Sequence, residues 1–210
     1  MNSNIIHHKG SIEPHHAAPN TLETISACLD ANASTIEVDI RALADEDFLL
    51  VHDEHLDKET TGTGLVIACA GANARDLYFT AYEGRFRAPL LSEVIALMQD
   101  YGRNTRLQLD FKDVFPYPTD EPLARLLKII APLKQRVIVS SCADWQLRKL
   151  RRMADWLDLG FDPNFYLTWR GDHHASNLPP FREGAYGYHD DHLLSLEECS
   201  RAAADCRAGF

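Results

Sequence analysis

Thr35-Ile36-Glu37-Val38-Asp39-Ile40 is the stretch that decides the fold. Its β-branched and apolar residues predict a strand, and alternate residues of a strand share a face. Glu37 and Asp39 therefore point one way, and Ile36, Val38 and Ile40 the other. Two carboxylates on an inward face are costly without a neutralising partner. A divalent cation with oxygen ligands supplies one. A solvated edge strand carrying two exposed acids is the other reading of the same pattern.

Working outward, short apolar runs alternate with helical stretches. Residues 4–8, 47–52, 106–112 and 136–141 read as strands. Residues 21–31, 91–101, 122–133 and 144–157 read as helices. A further strand is expected at 159–161 or 165–169, a short one at 185–189, and a last helix at 196–208. Repeated β-then-α units predict a parallel sheet with helices outside it. The polar residues at the C-terminal ends of the strands are where a barrel of this kind carries its chemistry. Residues 53–89 form a long irregular stretch containing Thr60-Thr61-Gly62-Thr63-Gly64, and loops of such length in a compact domain are usually functional.

Three further elements bring chemistry. In Leu107-Gln108-Leu109-Asp110-Phe111-Lys112 the same parity sets Gln108, Asp110 and Lys112 on one face. Asp110 offers a third oxygen ligand and Lys112 a point charge for a phosphate; an internal Asp–Lys ion pair is the alternative. Phe48-Leu49-Leu50-Val51 ends abruptly in His52-Asp53, and a histidine so placed suits proton transfer near neutral pH. In Ile5-Ile6-His7-His8-Lys9-Gly10 one histidine faces each side, and parity does not choose between them.

Composition sets bounds. The 210 residues fit one domain with a sizeable core. A net charge of −10 argues against a nucleic-acid surface, and makes a bound cation the simplest source of positive charge for an anionic substrate. No apolar run has membrane-spanning length, and the N-terminus lacks the pattern of a signal peptide, so the cytoplasm is the expected location. Cys28, Cys69, Cys142, Cys199 and Cys206 show no metal or redox spacing and read as reduced thiols. His15-His16 and His173-His174 read as solvated loop residues. His189-Asp190-Asp191-His192 has ligand types but reads first as the same. Trp145, Trp156 and Trp169 read as core or pocket wall.

The ordered set of motifs resembles the glycerophosphodiester phosphodiesterase family. The residues carrying the resemblance are His8-Lys9-Gly10, Pro19-Asn20-Thr21-Leu22, Glu37-Val38-Asp39 and His52-Asp53. They continue with Leu56-Asp57-Lys58-Glu59-Thr60-Thr61-Gly62-Thr63-Gly64, Pro89-Leu90-Leu91-Ser92-Glu93-Val94 and Asp110-Phe111-Lys112. The match spans about residues 5 to 141. It departs from the family pattern in three places: Lys9 stands for Arg, Asp110 for Glu, and the carboxylate before Asn20 is missing. Lys keeps the charge but loses the bidentate fork.

The resemblance implies an α/β fold of (β/α)8 TIM-barrel type, lacking or diverged in its last one or two strands. Residues 1–210 would form a single, C-terminally incomplete domain of this family. It further implies hydrolysis of a glycerophosphodiester to glycerol-3-phosphate and an alcohol. Glu37, Asp39 and Asp110 would hold one Mg²⁺ or Ca²⁺, Lys9 and Lys112 would meet the phosphate, and His8 and His52 would act as the acid–base pair. The partner is a small molecule, either a glycerophosphodiester or a lysophospholipid. Two alternatives stand beside this. One is a non-catalytic or truncated barrel remnant acting as a binding protein. The other is a cyclising lyase on lysophospholipids using the same site, as in the related spider-venom enzymes; the lack of a cysteine between Asp53 and Thr63 argues against it.

Overall fold

The computed structural model describes residues 5–13, 16–82, 85–101, 104–114 and 117–162. Contacts group the chain into two units, 1–113 with 121–137, and 114–120 with 138–210.

In the first unit, β1 (Ile6–His7), β2 (Thr35–Ala42) and β4 (Arg106–Phe111) run parallel, with β2 in the middle. A central strand is covered on both faces, and β2 is: Ile36, Val38 and Ile40 are fully buried, and so is Asp39. The register pairs Glu37 with Gln108 and Asp39 with Asp110. Facing residues of neighbouring strands share a side of the sheet, so the carboxylates of the two strands come together. Ile6 pairs with Thr35 and His7 with Ile36. That register sets His7 on the apolar side and His8 beside Glu37, a choice parity left open.

The strand expected at 47–52 differs from the reading. Only Phe48–Leu49 forms a strand, β3, and it runs antiparallel to β2, with Arg41 opposite Leu49 and Ala42 opposite Phe48. The physical reason lies in chain length. Five residues separate the two strands, whereas a parallel return needs a crossover of a dozen or more. Leu43 N–H closes the connection on Asp47 O at 3.1 Å.

Helices cover the sheet. Thr21 caps α1 (Leu22–Asp30), its hydroxyl accepting from Thr24 N–H while Thr24 Oγ1 accepts from Thr21 N–H. Such a reciprocal box satisfies two otherwise orphaned donors. Gly10 has a φ of 63°, and a Cβ there would stand 3.2 Å from Ile25 Cγ1, so glycine lets the turn after β1 lie close on α1. The start of α3 (Leu91–Asp100) is held by Glu93, which accepts from Leu90 N–H at 2.8 Å and pairs with both Arg87 terminal nitrogens. Asp47 accepts from the backbone of Phe48 and Ser92 and from the Ser92 hydroxyl, tying β3 to α3. α4 (Glu121–Ile130) ends in a 3₁₀ turn, Ala131–Leu133. The irregular stretch 53–89 holds two 3₁₀ turns and α2 (Gly71–Ala74), packed around Leu43, Leu49, Val51, Leu56, Leu77 and Phe79.

β5 (Val137–Ser141), in the second unit from Ile138 on, pairs in parallel with β6 (Asp158–Phe161), with α5 (Asp144–Met153) between them in sequence. The reading extended this helix to residue 157, but Ala154 is extended and its N–H closes the last turn on Leu150 O. Trp145 is buried, as a core residue. Cys28, Cys69 and Cys142 are thiols. The alternative strand at 165–169, the strand at 185–189, the last helix, His173-His174, 189–192, Trp169, Cys199 and Cys206 lie outside the described residues. No described helix is long and apolar enough to cross a membrane.

Candidate metal centre and its proton-transfer groups

Glu37, Asp39 and Asp110 offer oxygen atoms that all lie within 4.8 Å of one another, the one such cluster of potential ligands among the described residues. β2 supplies the first two at consecutive positions of one face, and β4 supplies the third through its register with Asp39.

Asp39 is the hub. Its Oδ2 accepts from Asn20 Nδ2 at 3.0 Å and meets Lys9 Nζ at 3.1 Å, and its Oδ1 lies 3.1 Å from Lys112 Nζ. Asn20 also receives the Asp39 N–H on its Oδ1 at 3.2 Å. Burial works against charge on Asp39, but Lys112, Asn20 and Lys9 together hold its carboxyl below the usual range. Lys112 is likewise penalised by burial, yet Asp110 at 2.6 Å and Asp39 raise its pKa.

Glu37 is treated differently. Its Oε2 accepts the Lys9 backbone N–H at 2.8 Å, while its Oε1 is buried without a hydrogen-bond partner. Burial raises its pKa to about 7, the Lys9 amide opposing and the charges of Asp39 and Asp110 adding to the rise. An orphaned carboxylate oxygen facing two further carboxylates is an unbalanced arrangement in this protein alone. An oxygen-liganded divalent cation fits it.

His8 follows β1 in a turn where Lys9 has a φ of 54°. Its imidazole is largely exposed, at 75%, and Nε2 stands 3.9 Å from Glu37 Oε2. His52 is half exposed, with Nδ1 3.1 Å from Asp53 Oδ1. Lys9 and Lys112, read from the sequence as phosphate contacts, here pair with the carboxylates.

Three contributors were missed in the sequence. Asn20 sat inside a quoted motif, and the structure gives it a φ of 59°, a region Asn tolerates. Arg41 continues the Glu37–Asp39 face by two more residues, a parity signal that was legible. Glu59 sat inside a quoted motif, but nothing in its spacing tied it to His52.

Comparisons with known proteins identify the family and the fold. The model of the glycerophosphoryl diester phosphodiesterase family matches residues 8–164. A glycerophosphodiester phosphodiesterase of Caldanaerobacter subterraneus subsp. tengcongensis is 27% identical over 168 residues, 76% of this chain and 66% of that protein. Among solved structures, a Silicibacter pomeroyi protein described as a glycerophosphoryl diester phosphodiesterase is 22% identical. It aligns with a TM-score of 0.69 over 96% of this chain and 71% of its own. An Oleispira antarctica phosphodiesterase, solved with the product sn-glycerol-3-phosphate, is 22% identical with a TM-score of 0.61, covering 76% of this chain and 65% of its own.

The fold is thus α/β of the TIM-barrel type. The chain belongs to the glycerophosphoryl diester phosphodiesterase family. It spans 66% of the length of the curated Caldanaerobacter relative.

Proposed function

We propose that this chain is a metal-dependent phosphoric diester hydrolase that cleaves a glycerophosphodiester to glycerol-3-phosphate and an alcohol. The observation that carries the reading is the Glu37–Asp39–Asp110 cluster, with the orphaned Glu37 Oε1 inside it and His8 at its edge. Family membership supports it, as does the product bound by the Oleispira relative.

Glu37, Asp39 and Asp110 would hold one Mg²⁺ or Ca²⁺. Such an ion supplies positive charge against a phosphoryl oxygen and the charge that develops there. Lys9 and Lys112 already sit at this cluster and would place two ammonium groups beside the bound phosphate. His8 and His52 would transfer the two protons of the reaction. One accepts a proton from the attacking hydroxyl, and the other gives one to the leaving alcohol. The Asp53 carboxylate at 3.1 Å holds one ring nitrogen of His52, leaving the other for the substrate. The substrate is a small molecule, a glycerophosphodiester first and a lysophospholipid second, and the location is the cytoplasm.

The test is release of glycerol-3-phosphate from glycerophosphocholine and glycerophosphoethanolamine with Mg²⁺, Ca²⁺ or EDTA. Turnover that needs a metal and stops with EDTA is the expected result. A folded protein that binds either ion and turns over neither substrate would instead make this a binding module built on the same cluster.

A further inference from the structure

His52 stands outside any strand ladder, because β3 ends at Leu49. Its peptide unit is nevertheless held on both sides by charged groups. Glu59 Oε2 accepts the His52 N–H at 2.7 Å and the Asp53 N–H at 2.9 Å. On the other side, Arg41 Nε donates to His52 O at 2.7 Å. Arg41 is itself anchored: its Nη1 donates to Asp113 Oδ1 at 3.0 Å, and Asp113 Oδ2 accepts the Ala42 N–H at 2.9 Å.

Glu59 is no loose loop residue. It follows the 3₁₀ turn Leu56–Lys58, and its carbonyl accepts the Thr80 N–H at 3.0 Å. The next residue is tied down as well, Thr60 N–H donating to Leu56 O at 2.8 Å. A fixed backbone aims the Glu59 carboxylate, and one of its oxygens sets two consecutive peptide units. Those two residues are the histidine and the aspartate that orients its ring. Hydrogen bonds to a charged acceptor are about twice as strong as neutral ones, so this clamp substitutes for the missing ladder.

We propose that Glu59 is a positioning residue for His52, acting through the His52 and Asp53 amides with Arg41 as its counterpart on the carbonyl side. The proposal rests on the reading of His52 as a proton-transfer group. Glu59 touches no reacting atom. Its effect is to keep the imidazole at a fixed depth and angle, and misplacement of such a group by about 1 Å costs about 10²-fold in rate.

The experiment compares the full chain with Glu59→Ala, Glu59→Gln and His52→Ala, using glycerophosphocholine as substrate and amide hydrogen exchange as a second readout. Glu59→Ala is expected to lower kcat by about 10- to 100-fold with KM nearly unchanged, and to speed exchange at the His52 and Asp53 amides. Glu59→Gln keeps an acceptor oxygen and is expected to restore most of kcat. Unchanged exchange in Glu59→Ala overturns the clamp, and that arm needs no turnover. Faster exchange with unchanged kcat, where His52→Ala is impaired, overturns the positioning role. Full activity in His52→Ala overturns the reading of His52 itself and the positioning role with it, while the exchange data judge the clamp separately.

Discussion

The Lys9 ammonium stands 3.1 Å from Asp39 Oδ2, while the Lys9 backbone N–H donates to Glu37 Oε2 at 2.8 Å. One residue therefore addresses both acids of β2, with its side chain on one and its amide on the other. The left-handed backbone at Lys9 makes this possible, because it turns the N–H back toward β2 while the side chain reaches over. Lys can form the point-charge contact to Asp39 but, unlike Arg, not a bidentate one.

Removing a cation from this cluster has a defined cost. Lys112→Met takes an ammonium from both Asp39 and Asp110 and leaves Lys9 on Asp39, so metal-free protein should lose about 3 kcal/mol of stability. Saturating Mg²⁺ or Ca²⁺ should return most of the loss, because the ion neutralises the same carboxylates. Urea unfolding with and without metal measures both effects. Equal losses in the two conditions would speak against a cation at these residues.

Glu37 predicts a pH dependence. Its pKa is raised from 4.5 to about 7 in the folded chain, so between those values the folded state binds more protons than the unfolded one. Stability from this group is complete below about pH 4.5 and is lost as pH rises through 7, a change of about 3 kcal/mol. Metal-free Glu37→Gln should flatten that slope between pH 4.5 and about 7, measured by denaturant unfolding. A bound cation should flatten it too, since it favours the ionised form. An undiminished slope in the glutamine variant would refute the assignment.

Asn20 binds Asp39 twice, through its amide nitrogen to the carboxylate and its oxygen from the Asp39 N–H. Asn20→Ala should cost about 1–3 kcal/mol, since both Asp39 groups are buried and lose a partner. Asn20→Asp should be worse at neutral pH, because it replaces a donor to Asp39 with a second negative charge. Thermal unfolding at pH 5 and pH 8 separates them: the aspartate variant should recover partly at the lower pH, and the alanine variant should not.

The two histidines should behave alike in rate and unlike in environment. His8→Ala and His52→Ala are each expected to lower kcat by about 10²- to 10⁴-fold with the fold intact. Both side chains are substantially exposed, so neither substitution leaves a core cavity. Steady-state kinetics with circular dichroism as a folding control checks this. Activity within about threefold of wild type in both variants would remove them from the acid–base role.

Several elements were legible without coordinates. Period-two alternation at Glu37–Asp39 and at Gln108–Asp110 carries the strand and its polar face, because a pleated chain repeats every two residues. The helix read at 21–31 forms as Leu22–Asp30, with Thr21 outside it as the cap, because a threonine side chain favours the cap position over the helix interior. The strand at Phe48 is shorter than its run of four apolar residues suggests, and its antiparallel direction follows from the five-residue connection to β2. His7 and His8 stayed undivided, since two adjacent residues carry no period of their own.

The sequence by itself determined that β2 and β4 would present acids on one face, and which three carboxylates those are, because that information sits within a few residues of each strand. Only the tertiary structure decided how those acids are partnered. It placed Asn20 and two lysines on Asp39, left Glu37 Oε1 orphaned, and clamped His52 between Glu59 and Arg41. Asn20 lies 19 residues from Asp39, and Arg41 lies 72 from its anchor Asp113. Contacts over such separations arise from strand register and from the path of a loop, and a local repeat in the chain encodes neither.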